Sequence, residues 1–310
     1  MRAPIRPDCL VIGGCNNDVL GQAFASNEAA TADSNSWPGE VSQAPGGVAR
    51  NIAEALSRLG QSVYFAGRYG DDAAGSMIAE SLTKAGVSLQ LSEQLEGQNS
   101  DQYLSVFDAA GGWRGAIADM ALVQGMTPQW LAPVIAQAPA DATLIFDTNL
   151  PEDSVHYLCH VDDRRFLACD GVSPAKVTKL RPVLSALTCL KVTRDEAETL
   201  LQLPTGATCE EMIARLHEAG VSVVALSDGP EGFYLSDGAD HIHMLPPAID
   251  IISVSGAGDC LFAGILWGLC EGDDLATIAQ KGQFSAAASL TSKAAVPSDL
   301  SPAAFNGVTI

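Results

Sequence analysis

Short apolar segments alternate with amphipathic helical patterns along most of the chain, and this alternation limits the folds that it can adopt. The most regular run lies between Thr127 and Ser227. Its predicted elements are helix 128–137, strand 142–146, helix 151–160, strand 166–169, strand 187–192, helix 194–202, helix 208–219 and strand 221–227. Strand–helix–strand units form right-handed crossovers in a parallel sheet that has helices on both faces. We therefore expect an α/β fold with a doubly wound, mostly parallel sheet.

Several predicted strands end in an acidic residue. These residues are Asp18, Asp147, Asp170 and Asp228. In open α/β sheets the ligand lies beyond the carboxyl ends of the strands. The acidic residues therefore indicate the edge of the sheet at which a site is expected.

The stretch Ser255–Asp259 combines a bare backbone with an acid at the start of a long apolar helical pattern. The N–H groups of Gly256, Ala257 and Gly258 would form an anion site at a helix N-terminus. A carboxylate beside bound phosphate is electrostatically unfavourable, so its presence there requires a functional explanation. The simplest role for Asp259 is that of a general base toward a hydroxyl. The alternative interpretation is a glycine-rich turn capped by an Asp.

A second glycine-rich helix start lies near the N-terminal end. Gly46 and Gly47 precede a helical apolar face that ends at Gly60, and they would let the backbone approach a ligand closely. Asn51, in the opening turns, has an amide that can both donate and accept. Alternatively, the glycines form a plain loop and Asn51 is a solvated helix residue.

Short alternating segments between these two stretches predict antiparallel strands. Tyr103–Phe107 and 113–118 read as a hairpin. Strand 62–66, helix 72–84 and a further strand at 87–91 are predicted beside it. We expect one domain over residues 1–310, with a small β-sheet lid drawn from about 15–45 and 98–120.

Composition excludes several classes of partner. The formal charge of −20 argues against nucleic acid and anionic membranes, because both require a basic face. No apolar run approaches the length of a membrane span. The eight cysteines are scattered without a CxxC pair, which is typical of reduced thiols in a cytoplasmic protein.

The two glycine-rich stretches together resemble the signatures of the ribokinase (PfkB) family of carbohydrate and nucleoside kinases. Residues 45–53 are similar to the N-terminal signature, and residues 255–264 are similar to the C-terminal one. The resemblance covers nearly the whole chain. It implies a ribokinase-like fold and a phosphotransferase that acts on an alcohol group and uses ATP and Mg²⁺.

Shorter segments resemble the pseudouridine kinase branch of this family. They are residues 13–19, 32–35 with 38–39, 103–108, 116–120 and 191–200. The resemblance therefore implies transfer to the 5′-hydroxyl of pseudouridine. Ribose, adenosine, inosine or a ketohexose is the alternative acceptor, and a regulator that binds nucleosides or sugars without catalysis is the alternative of a different class.

The family's roles carry over to individual positions of this chain. Asp259 would be the base, and Gly256, Ala257 and Gly258 would stabilise the transferring phosphoryl group. The residues implied to bind the sugar or nucleoside are Asn16, Asp18, Gly46, Gly47, Asn51 and Tyr103. The residues implied to border ATP are Ser227, Gly229, Gly232, Ser255, Gly258 and Gln283.

Glu196 would order water around Mg²⁺, which keeps much of its hydration shell. Thr193 replaces the usual Asn of that motif, and Ser255 replaces a Thr. Ser253 stands where many relatives have an Asp that helps to bind K⁺, so the resemblance leaves a K⁺ requirement open. Exposed apolar positions on the lid strands would favour pairing of two copies into a homodimer.

Overall fold

The strands of the computed structural model build three sheets, and the model describes residues 8–24, 37–161 and 166–306. The described strands are β1 (Asp8–Ile12), β2 (Asn16–Ala23), β3 (Gly39–Gly46), β4 (Ser62–Ala66), β5 (Arg68–Gly70), β6 (Glu93–Leu95), β7 (Gln102–Phe107), β8 (Trp113–Asp119), β9 (Thr143–Asp147), β10 (Leu167–Asp170), β11 (Cys189–Thr193), β12 (Val223–Ser227), β13 (Phe233–Ser236) and β14 (His241–Met244).

Helices connect most of these strands. They are α1 (Val48–Arg58), α2 (Ala73–Lys84), α3 (Ala121–Gln124), α4 (Pro128–Gln137), α5 (Glu152–His160), α6 (Pro174–Val177), α7 (Arg194–Leu201), α8 (Cys209–Glu218), α9 (Ala257–Glu271), α10 (Leu275–Leu290) and α11 (Pro302–Asn306). Short 3₁₀ helices cover Thr178–Ala186 and Gly229–Glu231.

The largest sheet has the strand order β14-β13-β12-β11-β10-β9-β1-β4. In this sheet the neighbouring strands β12, β11, β10, β9, β1 and β4 pair in parallel. At one edge, β13 pairs antiparallel with β12, and β14 pairs antiparallel with β13. The predicted mostly parallel sheet is therefore confirmed.

Apolar side chains are buried on both faces of this sheet. Leu10 and Ile12 of β1 belong to a core that includes residues of α4, α5, α7 and α8. Cys9 and Val11, on the other face, belong to a core that includes residues of α1, α2 and α9. A parallel strand buried on both faces reads as a continuous apolar run, which explains the sequence of β1. The doubly wound architecture is confirmed.

A second, four-stranded sheet forms the lid and has the order β3-β2-β7-β8. β2 pairs antiparallel with β3 and parallel with β7, and β7 pairs antiparallel with β8. β3 ends at Gly46, and α1 begins at Val48, so the lid leads directly into the first glycine-rich helix start.

The predicted strand at 87–91 is wrong. Ser88 forms a single bridge to Tyr64, and the strand of this region is β6, which pairs with β5 in a separate small sheet. The apolar residues Val87 and Leu91 are buried in different cores without forming a ladder. The segment 32–35 lies outside the described residues. None of the described helices is both long and apolar enough to cross a membrane.

Candidate active site

The carboxyl ends of the parallel strands place several polar residues in one row. Asp147 of β9 pairs in register with Asp170 of β10, and Asp170 pairs with Lys191 of β11. Thr193, at the end of β11, pairs with Ser227 at the end of β12. The strand ends at Asp147, Asp170 and Asp228 thus meet at one edge of the sheet, as the sequence predicts for a ligand site. Asp18 does not end a strand of this sheet, because it lies within β2 of the lid.

The helix α9 begins at a backbone turn that only glycine can make. Gly256 has φ 79°, and a Cβ there would overlap the backbone of Ala295. The N–H groups of Gly256 and Gly258 have no acceptor among the described residues, whereas that of Ala257 makes a long bond of 3.4 Å to Val254 O. The bare amides at this helix start fit an anion.

The side chain of Asp259, in the first turn of α9, receives a hydrogen bond from α1. Asn51 Nδ2 donates to Asp259 Oδ2 over 2.7 Å, between residues 208 positions apart in the sequence. Burial and, to a smaller extent, the charge of Asp170 raise the pKa of Asp259 to about 7, against the opposing effects of Lys191 and the Asn51 bond. A carboxylate with a pKa near neutrality suits a general base.

A buried ion pair lies close to Asp259. Lys191 is only 6% exposed, and its Nζ lies 3.0 Å from Asp170 Oδ2. Burial opposes its charge, but Asp170, Glu196 and Asp259 together raise the pKa of Lys191. A Cβ at Gly258 would lie 3.0 Å from Lys191 Nζ, so the lysine reaches the underside of the bare turn.

Glu196 and Thr193 form a capping box at the start of α7. Glu196 N–H donates to Thr193 Oγ1 at 3.3 Å, and Thr193 N–H donates to Glu196 Oε2 at 2.9 Å. Burial raises the pKa of Glu196, and Lys191 opposes this shift. Thr193 therefore serves as helix cap, a role in which Thr and Asn are both favoured.

The residues expected to bind the sugar meet where the lid joins the main sheet. Asn16 Nδ2 donates to Asp18 Oδ1 at 2.6 Å, and Gly46 lies opposite Asn16 in the ladder. A Cβ at Gly46 would overlap the Asp18 carboxylate, so glycine makes room for that side chain. Tyr103 pairs with Asp18 from β7 and is partly exposed.

Gly47 has φ 103° and offers no side chain to cap α1. The cap comes instead from Asp147, whose Oδ2 accepts from the N–H groups of Ala49 at 2.9 Å and Gly14 at 3.3 Å. Asn149 Nδ2 donates to the same oxygen at 3.0 Å. The fully buried Asp147 thus joins the end of β9 to the loop at Gly14 and to the start of α1, near the sugar-side residues.

Four of the six residues expected to border ATP form another group around the β12–β13 turn, whereas Ser255 and Gly258 lie at the start of α9. Ser227 ends β12, and Gly229 and Gly232 have φ 53° and 90° in the turn. Gln283 of α10 bonds to Leu245 O after β14, and a Cβ at Gly232 would overlap Met244 O in the same strand. These contacts connect the group to β14 rather than to Asp259.

Ser255 connects α9 to α10. Its carbonyl accepts from Ser289 Oγ at 3.1 Å, and its N–H donates to Ser253 Oγ at 3.1 Å. Ser253 thus supplies a hydroxyl acceptor to the loop in front of the bare turn.

Three residues of this site have no role that the sequence motifs assign. Asp147 and Asp170 are visible in the sequence only as strand ends. Lys191 carried a usable signal, because an isolated lysine within the apolar run 189–192 is rarely buried without a partner.

Known proteins resemble this chain along most of its length. The sequence model of the pfkB family carbohydrate kinases matches residues 6–302. Pseudouridine kinase of Escherichia coli (strain K12) is 31% identical over 259 residues, which are 83% of this chain and 82% of that protein.

Solved structures share the fold along nearly the full length. A carbohydrate kinase from Agrobacterium tumefaciens has a TM-score of 0.81 and 29% identity, with 99% of this chain and 96% of that chain covered. Arabidopsis thaliana ribokinase, complexed with ribose and ATP, has a TM-score of 0.79 and 19% identity over 100% of both chains. The chain therefore belongs to the PfkB family of carbohydrate kinases and is a phosphotransferase that acts on a hydroxyl group.

Proposed function

We propose that the chain is an ATP-dependent kinase that converts pseudouridine to pseudouridine 5′-phosphate and ADP. The observation that carries this proposal is the contact between Asn51 and Asp259, which brings the two glycine-rich signatures together. The specific acceptor rests on the similarity to E. coli pseudouridine kinase.

Asp259 has the properties that the chemistry requires. It would take the proton from the 5′-hydroxyl while the hydroxyl oxygen forms a bond to the γ-phosphorus of ATP. The bond from that phosphorus to the bridging oxygen breaks, and ADP leaves. The free amides of Gly256 and Gly258, together with Ala257, would stabilise the charge on the phosphoryl oxygens.

The lid side would hold the nucleoside. Asp18 would accept hydrogen bonds from ribose hydroxyls, and Asn16 already fixes that carboxylate. Gly46 and Gly47 let the backbone approach the sugar, and Tyr103, beside Asp18 on β7, would contact it. Positioning of this kind supplies a large part of the rate in phosphoryl transfer.

ATP would lie along the β12–β13 turn. The residues assigned to it are Ser227, Gly229, Gly232, Ser255 and Gln283. Glu196 has one carboxylate oxygen engaged in the capping box, so its other oxygen would hold a water of Mg²⁺. The phosphates of ATP and water would supply the other ligands, as is usual for Mg²⁺ in kinases.

Ser253 offers a hydroxyl where a carboxylate would be needed to favour a bound cation strongly. We infer that turnover depends less on K⁺ than in relatives that keep an Asp there. All eight cysteines are free thiols, which supports the expected cytoplasmic location. We further propose that residues 1–310 form a single kinase domain.

The lid also supports a homodimer. Alternation along the strands puts Val19, Leu104 and Ile117 in one cross-strand row, on the face opposite Asp18. Val41 shares that face and is 69% exposed, and Ile117 is 68% exposed. Two copies that pair these faces would bury the apolar rows.

A substrate panel tests the proposal. Purified protein with ATP and Mg²⁺ is offered pseudouridine, uridine, adenosine, inosine, ribose and a ketohexose, and ADP release is measured. We expect the highest kcat/KM with pseudouridine. A higher kcat/KM with another alcohol would identify that alcohol as the acceptor in place of pseudouridine. If no compound caused ADP release, a binding protein without catalysis would be favoured.

Replacement of Asp259 tests the chemistry separately. Asp259→Asn keeps the shape but not the base, so kcat should fall by roughly a hundredfold or more while ATP still binds. Near-normal turnover would exclude Asp259 as the base. Asp240→Asn, at an acidic residue in the β13–β14 turn, is the matched control and should keep full activity.

A further inference from the structure

Asn51 is held on both sides by charged groups. Its Nδ2 donates to Asp259 Oδ2 at 2.7 Å, and its Oδ1 accepts from the Arg50 guanidinium at 2.8 Å. We propose that Arg50 is a positioning residue that fixes the orientation of the Asn51 amide and thereby holds Asp259 in place for catalysis. This inference rests on the proposed function of Asp259.

Chemistry allows only one orientation of this amide. A guanidinium has donors and no acceptor, so the Asn51 atom that faces Arg50 must be the carbonyl oxygen. An ionised Asp259 has only acceptors, so the Asn51 atom that faces it must be the NH₂ group. Each neighbour reinforces the assignment made by the other.

Arg50 is itself anchored. It is 3% exposed, donates to Ser81 Oγ at 2.9 Å and to Pro45 O at 3.2 Å, and forms a buried ion pair with Glu54. Arg58 donates to the other oxygen of Glu54. The guanidinium therefore has little freedom to leave the Asn51 carbonyl.

The arrangement changes what Asn51 offers to a substrate. Its carbonyl is occupied by Arg50, and one of its two N–H groups is used by Asp259. The remaining N–H can donate to an alcohol, whereas the carbonyl oxygen faces Arg50 and keeps only one further lone pair. Without Arg50 the amide could turn its carbonyl toward Asp259, where two acceptors would repel each other.

A double-mutant cycle tests the inference. We would measure kcat and KM for Arg50→Ala, Asn51→Ala and the double variant, with the best acceptor from the substrate panel. Arg50→Ala should lower kcat about tenfold and leave the KM for ATP near the wild-type value, since one hydrogen bond to a charged group is lost at the base. In the Asn51→Ala background the same change should alter kcat by less than about twofold.

The matched control is Arg58→Ala. Arg58 carries the same charge and also binds Glu54, but it does not contact Asn51. Its removal should leave kcat unchanged. Losses that multiply in the double variant, or an equal loss in Arg58→Ala, would overturn the positioning role. Arg50→Met keeps the aliphatic volume and replaces Arg50→Ala if that variant does not fold.

Chemical rescue adds a second arm. Arg50, Glu54 and Arg58 line a cavity of about 630 Å³ together with the loop 291–299, so a free guanidinium ion can reach the space that Arg50→Ala leaves. Guanidinium at millimolar concentration should restore kcat in Arg50→Ala and not in the double variant. Equal stimulation of both would contradict the inference.

A third arm needs no turnover. In ¹H–¹⁵N spectra, the side-chain NH₂ signal that disappears in Asn51→Ala identifies this amide. Arg50→Ala should shift that signal, and Arg58→Ala should leave it in place. If no alcohol is phosphorylated, the proposed function fails while this arm still tests the role of Arg50; an unshifted signal in Arg50→Ala would refute it.

Discussion

Asp259 ties catalysis to pH through its raised pKa. Its buried surroundings bring the pKa of this carboxyl to about 7, the raising effects of burial and Asp170 outweighing the opposing effect of Lys191, and only the deprotonated form can take a proton from the acceptor. We expect kcat/KM to fall about tenfold per pH unit below pH 7 and to level off above it. A profile measured from pH 5.5 to 8.5 that stays flat would contradict this prediction.

Thermal unfolding supplies the control for this prediction, because the pKa of Asp259 is raised above its ordinary value of 3.8. Between these two values the folded state binds more protons than the unfolded state, so stability from this group is lost as pH rises toward 7. The Asp259→Asn variant has no carboxyl at this position, so it does not lose this stability as the pH rises. The Tm of the variant relative to the wild type should therefore increase from pH 5 to pH 8.

Gly46 makes room for the Asp18 carboxylate. A methyl group at position 46 would overlap it, so Gly46→Ala should displace Asp18 and raise the KM for the nucleoside about tenfold, with little effect on the KM for ATP. Gly21→Ala is the matched control, because a Cβ there meets only Ser105 O at 3.8 Å. An unchanged KM for the nucleoside in Gly46→Ala would contradict the proposed role of Asp18 in binding the sugar.

The start of α7 couples a helix cap to the proposed metal residue. Thr193→Val removes the hydroxyl that accepts from Glu196 N–H, which should cost about 1 kcal/mol of stability. It should also loosen the first turn of α7, which positions Glu196, and raise the Mg²⁺ concentration needed for half-maximal turnover, although the bond from the backbone N–H of residue 193 to Glu196 Oε2 remains. Thr193→Ser keeps the hydroxyl and should change neither quantity. If Thr193→Val had the wild-type Mg²⁺ dependence, the helix cap would have no influence on Mg²⁺ binding.

Helices and strands whose apolar residues form a strong local pattern have nearly the bounds that the sequence predicts. The predicted helix 128–137 and the predicted hairpin strands correspond to α4, β7 and β8. The segment 87–91 shows why short apolar runs are less reliable. Its apolar residues are buried, but only Ser88 finds a strand partner, since ladder formation depends on a neighbour that the local sequence does not specify.

The assembly of two copies can be tested through the lid face opposite Asp18. Ile117→Lys and Val41→Lys place charges in the exposed apolar rows, so each should shift the protein toward monomers in sedimentation equilibrium. Ser42→Lys adds the same charge to the other face of β3 and should leave the assembly unchanged. A wild-type protein that is monomeric at high concentration would exclude the proposed dimer.

The linear sequence was sufficient for the sheet, its flanking helices and the two glycine-rich turns, because apolar periodicity and the need for a bare backbone are properties of neighbouring residues. It also placed Asp259 and Asn51 in separate signatures. Only the tertiary structure showed that Asn51 hydrogen-bonds to Asp259, that Asp147 caps α1, and that the Arg50 guanidinium donates to the Asn51 carbonyl. These contacts depend on where distant elements meet, and burial at that meeting point gives Asp259 its raised pKa.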